Sequence, residues 1–199
     1  MTNKTLVAVM AVALTTAGTG LGLELGAALP AGGVKMKNVD GNELTLAGSM
    51  GAKGLLVVFS CNHCPWVQRW EGRIVELGNA FPARGIAVVA VNSNDTVEYP
   101  DDGFEQMRSR AREKGYAFPY VVDATSDVAR AFGASKTPEA YLFDAQGKLV
   151  YTGTIDDNAR DAGAVTAAYL KDALEAVATG KPVPLAMTKA LGCSIKFRS

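Results

Sequence analysis

Two cysteines and a histidine carry the chemistry this sequence offers most plainly: Cys61-Asn62-His63-Cys64, followed at once by Pro65. Two thiols separated by two residues can close a disulfide and reopen it by exchange, and the attacking form is the thiolate. A thiolate is favoured at the start of a helix, where backbone N–H groups lack partners and the macrodipole is positive. Leu55–Phe59 reads as an apolar strand. Val67, Trp70, Ile74 and Leu77 read as the buried stripe of a helix from about Pro65 to Phe81, so the motif falls where strand hands over to helix. Pro65 suits a first turn, because the N–H it lacks is not needed there. The expectation is therefore an accessible, unusually acidic Cys61 that attacks, and a buried Cys64, one turn deeper, that resolves.

His63 is the only histidine. Lying between the cysteines, it can place charge or a hydrogen bond near Cys61 and make the disulfide more oxidising. The plainer reading is an exposed ring that tunes little. Trp66 and Trp70 lie on one helical stripe, which packing explains, although Trp66 is placed to reach the rim of the dithiol and touch substrate. Cys193 has two readings. One is a third redox thiol brought in by a mobile tail, with Lys189, Lys196 and Arg198 supplying positive surroundings. The other, preferred at this point, is a small apolar residue of the interior. Asp156-Asp157-Asn158 and Asp101-Asp102 read as helix caps and turns rather than as a cation site.

A chain of 199 residues suffices for one domain with its own core, and 20 acidic side chains balance 20 basic ones. That balance offers no basic face for nucleic acid. Three cysteines are too few, and odd in number, for a disulfide scaffold. Lys4, the apolar run Leu6–Leu14 and the small residues after it fit a signal peptide over residues 1–20. The run is too short to span a bilayer. Removal of such a leader places the protein in an oxidising compartment, periplasmic or secreted; the alternative is a cytoplasmic chain with a frayed arm.

From residue 24 to 182 the pattern alternates between strand and helix, and residues 183–199 read as an irregular tail. Asp40-Gly41 marks a hairpin between 34–38 and 43–46. Strands follow at 55–59, 86–91 and 120–122, with helices at 65–81, from Asp101 or Asp102 to Lys114, and from Ser126 to Phe132. A second hairpin joins 140–143 to 148–151, and an Ala-rich helix covers 164–178. Arg108, Arg110 and Arg112 are expected on the solvated side of their helix.

This order, together with FSCNHCPWV (59–67), VNSNDTVEYPDDGFEQM (91–107), TPEAYLFDAQGKLVYTGTIDDN (137–158) and GCSIKF (192–197), resembles the thioredoxin-like superfamily, in its redoxin, peroxiredoxin-like branch. The resemblance implies an α/β/α sandwich in three layers, with a central mixed sheet and an N-terminal β-hairpin. It also implies a cis Thr137-Pro138 bond beside the dithiol, where the Thr137 backbone would pair with an incoming chain. The activity implied is thiol–disulfide exchange with protein or small thiol partners, with no cofactor beyond a Cys61–Cys64 disulfide and no stable membrane insertion. Glu139 is a weak candidate for moving protons, its plainer role being a solvated carboxylate at a strand edge. Two alternatives are a thiol peroxidase and a copper- or zinc-binding module. Against the first, Gly54 and Val58 stand where a peroxiredoxin PxxxTxxC signature would have its proline and threonine. Against the second, His63 is wedged inside the CxxC, and a structural zinc site wants four ligands. No metal ligand set is therefore assigned.

Overall fold

The computed structural model describes residues 22–198, so the leader expected over 1–20 lies outside the described residues. Its elements are β1 (Met36–Asn38), β2 (Glu43–Leu44), β3 (Gly54–Phe59), α1 (Pro65–Ala80), β4 (Ile86–Asn92), α2 (Phe104–Lys114), β5 (Tyr120–Val122) and α3 (Asp127–Phe132). These are followed by β6 (Lys136–Thr137), β7 (Glu139–Asp144), β8 (Leu149–Gly153), α4 (Tyr169–Ala178) and β9 (Cys193–Ser194).

Seven strands form one sheet in the order β2-β1-β5-β4-β3-β7-β8. β3 lies inside it, parallel to β4 from Gly54↔Ile86 to Phe59↔Val91 and antiparallel to β7 from Gly54↔Asp144 to Phe59↔Glu139. A strand flanked on both edges and covered on both faces must be apolar throughout, which explains the run Leu55–Phe59. Its side chains alternate between two cores. Leu56 and Val58 meet Trp70, Ile74 and Leu77 of α1, Met107 of α2, and Leu170 and Leu174 of α4. Leu55, Val57 and Phe59 meet Val128 and Phe132 of α3 together with Met36 and Leu46. These are the three layers expected of a thioredoxin-like sandwich with a mixed sheet and an N-terminal hairpin. Among the described residues no helix is long and apolar enough to cross a membrane.

Three details differ from the sequence reading. First, α4 begins at Tyr169 rather than 164. The Asp157 carboxylate accepts from the Thr166 N–H at 3.1 Å, and the Ala167 carbonyl accepts from the Asp157 N–H at 3.2 Å, so the chain stays tethered until the helix can start. Second, Arg110 is not a solvated arginine. It grips the buried Glu71 of α1 with bonds of 2.6 and 2.8 Å. Asp156 likewise is buried and pairs with Arg73 while accepting from Trp70 Nε1 at 2.7 Å, which pins α1 to the loop after β8.

Third, the stretch after residue 183 is irregular in backbone but firmly tied. Thr188 donates its N–H to the Thr152 carbonyl at 3.0 Å, and its Oγ accepts from the Thr154 N–H at 2.9 Å. Beyond it, β9 runs antiparallel to β6, pairing Thr137 with Cys193 and Lys136 with Ser194. Ile195 is buried in the α3-side core and donates to the Ser135 carbonyl at 3.0 Å. Lys196 and Arg198 donate backbone N–H groups to Asn94 Oδ1 and Ser126 Oγ at 2.8 and 3.0 Å.

Candidate active site

β3 ends at Phe59 and α1 begins at Pro65, with Cys64 as its N-cap residue. The helix therefore starts beneath Cys64, and Cys61 lies three residues earlier in the connecting bend. Cys61 is only 1% exposed and Cys64 wholly buried, and both are free thiols. The expectation of an accessible, acidified Cys61 is corrected on both counts. Its sulfur lies 3.5 Å from Thr137 Oγ1, and the His63 ring and the Asp102 carboxylate both come within 4.8 Å of it.

The two sulfurs differ sharply in their hold on a proton. Cys61 is pushed far above an ordinary thiol, first because it donates to Cys64, then by burial and by the negative charge of Asp102. Cys64 is pulled down to about 4, first because its thiolate accepts from the Cys61 thiol. Burial opposes that shift; the Cys193 thiol, the Val67 N–H of the first helical turn and the Thr137 side chain add to it. One contact favours the protonated form, since a Cys64 thiol can donate to the Thr137 carbonyl at 3.1 Å. The donors around Cys64 and the carboxylate beside Cys61 therefore favour a charge shared by the pair on Cys64 over one on Cys61.

His63 and Asp102 form the polar side of the site. A short 3-10 turn, Pro100–Asp102, precedes α2, whose N-cap is Gly103. Asp102 is thus no helix cap. Its carboxylate is fully buried and accepts from the Asn62 N–H (2.7 Å), the His63 N–H (3.1 Å), His63 Nδ1 (2.6 Å) and Asn94 Nδ2 (2.8 Å). The His63 ring also stacks on Tyr99, with centroids 5.3 Å apart. Asn62 is fixed in turn, its Oδ1 accepting from the Tyr120 hydroxyl at 3.1 Å and its Nδ2 donating to the Asp101 carbonyl at 2.8 Å. Outside this network a polar cleft of about 320 Å³ is lined by Asn62, His63, Gln68, Gln106 and Arg110 among others.

On the other side stand the remaining candidates. The Thr137-Pro138 bond is cis, and both residues are buried. The Thr137 backbone, expected to receive an incoming strand, is instead paired with the chain's own Cys193. Trp66 and Cys193, both half-buried, pack against Cys61, Cys64 and Val67, which brings Cys193 to the dithiol rather than into a general apolar interior. Burial and the neighbouring Cys64 sulfur push the Cys193 thiol up to about 11, while the Trp66 N–H of the first helical turn pulls the other way. Glu139 is buried rather than solvated, and its partners are not the thiols. Its carboxylate accepts from the Ser135 and Lys136 N–H groups at 2.9 and 3.0 Å and from the Tyr141 hydroxyl at 3.0 Å, so it shapes the loop before Pro138.

Among the described residues, Cys61, His63 and Asp102 present ligand atoms within 4.8 Å of one another. They suit a metal poorly. Both Asp102 oxygens are already saturated by four N–H donors, one of them the His63 ring, and Cys64 and Cys193 are not part of the group. Asp102 is the residue that sequence reasoning missed. The signal lay in the segment VNSNDTVEYPDDGFEQM, but only the fold folds that loop onto Asn62 and His63.

The model of the AhpC/TSA family matches residues 26–152. A thiol–disulfide oxidoreductase, ResA, of Geobacillus thermodenitrificans is 28% identical over 122 residues, covering 60% of this chain and 66% of that protein. The chain spans a little under two thirds of the length of the curated relatives it matches. Among solved structures, an uncharacterized conserved protein from Geobacillus kaustophilus superposes with a TM-score of 0.81 at 39% identity, over 88% of this chain and 93% of that one. The thioredoxin domain of a thiol–disulfide oxidoreductase from Bacteroides vulgatus gives a TM-score of 0.53 at 26% identity, over 65% of this chain and 88% of that one.

Proposed function

The chain belongs to the AhpC/TSA family, and from that premise we propose that it is a thiol–disulfide oxidoreductase whose working group is the Cys61/Cys64 dithiol. The observation that carries this reading is the placement of two free thiols, Cys61 and Cys64, packed together where α1 begins and both touching Thr137. The Cys61 and Cys193 thiols and the Val67 N–H favour a thiolate on Cys64, and the thiolate is the attacking form. Cys64 is accordingly the exchanging sulfur. Cys61 attacks the resulting mixed disulfide, its proton leaving as the departing thiolate takes one up, and the Cys61–Cys64 disulfide is the oxidised product. This reverses the order expected from sequence.

His63, oriented by Asp102, tunes the pair, and Trp66 borders it; the Thr137-Pro138 segment holds both sulfurs in place. No cofactor beyond the disulfide enters the scheme. Thiol-bearing partners and an oxidising compartment complete the reading, the latter resting on the leader-like residues 1–20.

The test is exchange with a glutathione redox buffer, followed for the wild type and for Cys61→Ser and Cys64→Ser. The wild type should equilibrate to a Cys61–Cys64 disulfide, and neither variant should form it. Peroxide supplies the contrasting arm: oxidation no faster than that of a free thiol is expected, and a markedly faster rate would make the protein a thiol peroxidase instead.

A further inference from the structure

A buried dithiol needs a route to its partner, and the molecule places a third sulfur on that route. Cys193 is carried by β9, whose partner β6 contains Thr137, the residue touching both other sulfurs. Position 192 makes the approach possible. A Cβ there would come within 2.2 Å of the Thr137 carbonyl oxygen, so only glycine lets the tail lie this close. At the first turn of α1 the Val67 N–H favours a thiolate on Cys64 and the Trp66 N–H favours one on Cys193. Of the three, Cys193 alone is half-exposed. With the Thr137 edge already filled by β9, a peptide partner cannot add there as a strand. A small thiol approaching from solvent meets Cys193 first.

We propose that Cys193 is the relay sulfur of this site, passing disulfide between the buried Cys61/Cys64 pair and a low-molecular-weight thiol. The proposal rests on the dithiol reading above and adds a route and a substrate class to it. The Cys193 thiolate attacks Cys64 in the Cys61–Cys64 disulfide, forming a Cys64–Cys193 bond and releasing Cys61 as thiolate, which takes up the proton. An external thiolate then attacks the Cys193 sulfur, so that Cys64 leaves as thiolate and a Cys193 mixed disulfide forms. A second external thiolate displaces Cys193, and two thiols have become one disulfide as the protein pair is reduced. Every step is reversible, so the same relay reduces a small disulfide when the pair starts reduced. Oxidation of the pair also removes the negative charge at Cys64, one of the causes that hold the proton on Cys193.

The test uses the full chain with glutathione and its disulfide as probes. In Cys61→Ser, limited oxidation followed by peptide mapping without reductant should give a Cys64–Cys193 disulfide as the main intramolecular product. Cys64 found only as a glutathione adduct, with Cys193 free, overturns the relay. In Cys193→Ser the Cys61–Cys64 disulfide should still form with a strong oxidant such as diamide, while its equilibration with glutathione slows at least roughly tenfold. An unchanged rate overturns the relay and leaves the dithiol reading intact. A wild type that forms no Cys61–Cys64 disulfide overturns both. Gly192→Val, which lifts β9 without altering a sulfur, should lower the yield of the Cys64–Cys193 link and raise alkylation of Cys64; an unaltered yield counts against the strand as the carrier of Cys193.

Discussion

The two halves of the CxxC motif sit three residues apart in sequence and in opposite electrostatic settings. Around Cys64 are donors: the Cys61 and Cys193 thiols and a backbone N–H of the first helical turn. Around Cys61 are burial and a carboxylate, Asp102, whose charge disfavours a second anion. The pair is thus polarised by the folds of two distant segments, the loop before α2 and the strand at the C-terminus, acting from opposite sides. Thiol reactivity here belongs to the neighbourhood that each sulfur is folded into, and the motif alone does not say which cysteine receives which neighbourhood.

The sharpest way to break that contrast is to remove one sulfur at a time and follow alkylation of the reduced protein. In Cys61→Ser, Cys64 keeps its helix start and its Cys193 neighbour, and should remain ionised at pH 7, with the serine hydroxyl standing in as donor. In Cys64→Ser, Cys61 is left buried beside Asp102, and its alkylation at pH 7 should fall by about 10²-fold or more relative to Cys64 in the first variant, since rate follows thiolate fraction. Equal rates for the two remaining cysteines would erase the asymmetry.

The reduction potential offers a second reading of the same contrast. A pair holding one proton and one charge takes up one proton for two electrons, so the potential should fall by about 30 mV per pH unit between pH 5 and 8, half the slope of an ordinary dithiol. The sign follows from the direction of the shift. Lowering the Cys64 value stabilises the reduced, folded protein fully above the free-thiol range, and that stabilisation is lost as pH falls through about 4, where the slope should steepen. A slope of about 59 mV throughout would mean that both thiols stay protonated.

The fold was legible because its signals are local. The apolar run of β3, the helical stripe from Val67 to Leu77 and the Asp40-Gly41 turn each declare themselves within a few residues, and the resemblance ordered them. The dithiol was legible for the same reason. Its polarity was not, because Asp102 and Cys193 lie 41 and 132 residues from Cys61 along the chain and reach it only through tertiary contacts. Asp102 looked like a helix cap because acidic residues before a helix usually are. Gly103 takes that position instead, leaving the carboxylate free to turn inward. Cys193 looked like an interior residue because nothing in an irregular tail announces a strand pair of two residues.

Asp102→Asn should act on the Cys61 side alone. An asparagine keeps one acceptor for the Asn62 and His63 N–H groups but turns a donor toward His63 Nδ1 and Asn94 Nδ2, at a cost of about 1–3 kcal/mol in stability. It also removes the charge that helps hold the proton on Cys61, so the second thiol should titrate at lower pH when thiolate absorbance near 240 nm is followed. A loss of stability with no change in that titration would reduce Asp102 to a structural role.

His63→Gln is the finest probe, because the imidazole both bonds to Asp102 and lies within 4.8 Å of the Cys61 sulfur. The His63 N–H given to the carboxylate disperses its negative charge; without the ring that charge bears more fully on the reduced pair from the Cys61 side. The reduced state is then less favoured and the disulfide less oxidising, so the potential should move in the negative direction by up to about 30 mV, equivalent to about 1.4 kcal/mol. Glutathione equilibration of wild type and variant side by side resolves a change of that size. Combining His63→Gln with Asp102→Asn isolates the path: if the ring works through the carboxylate, the second substitution abolishes the effect of the first, and two independent shifts that add would place His63 in direct contact with the thiol chemistry instead.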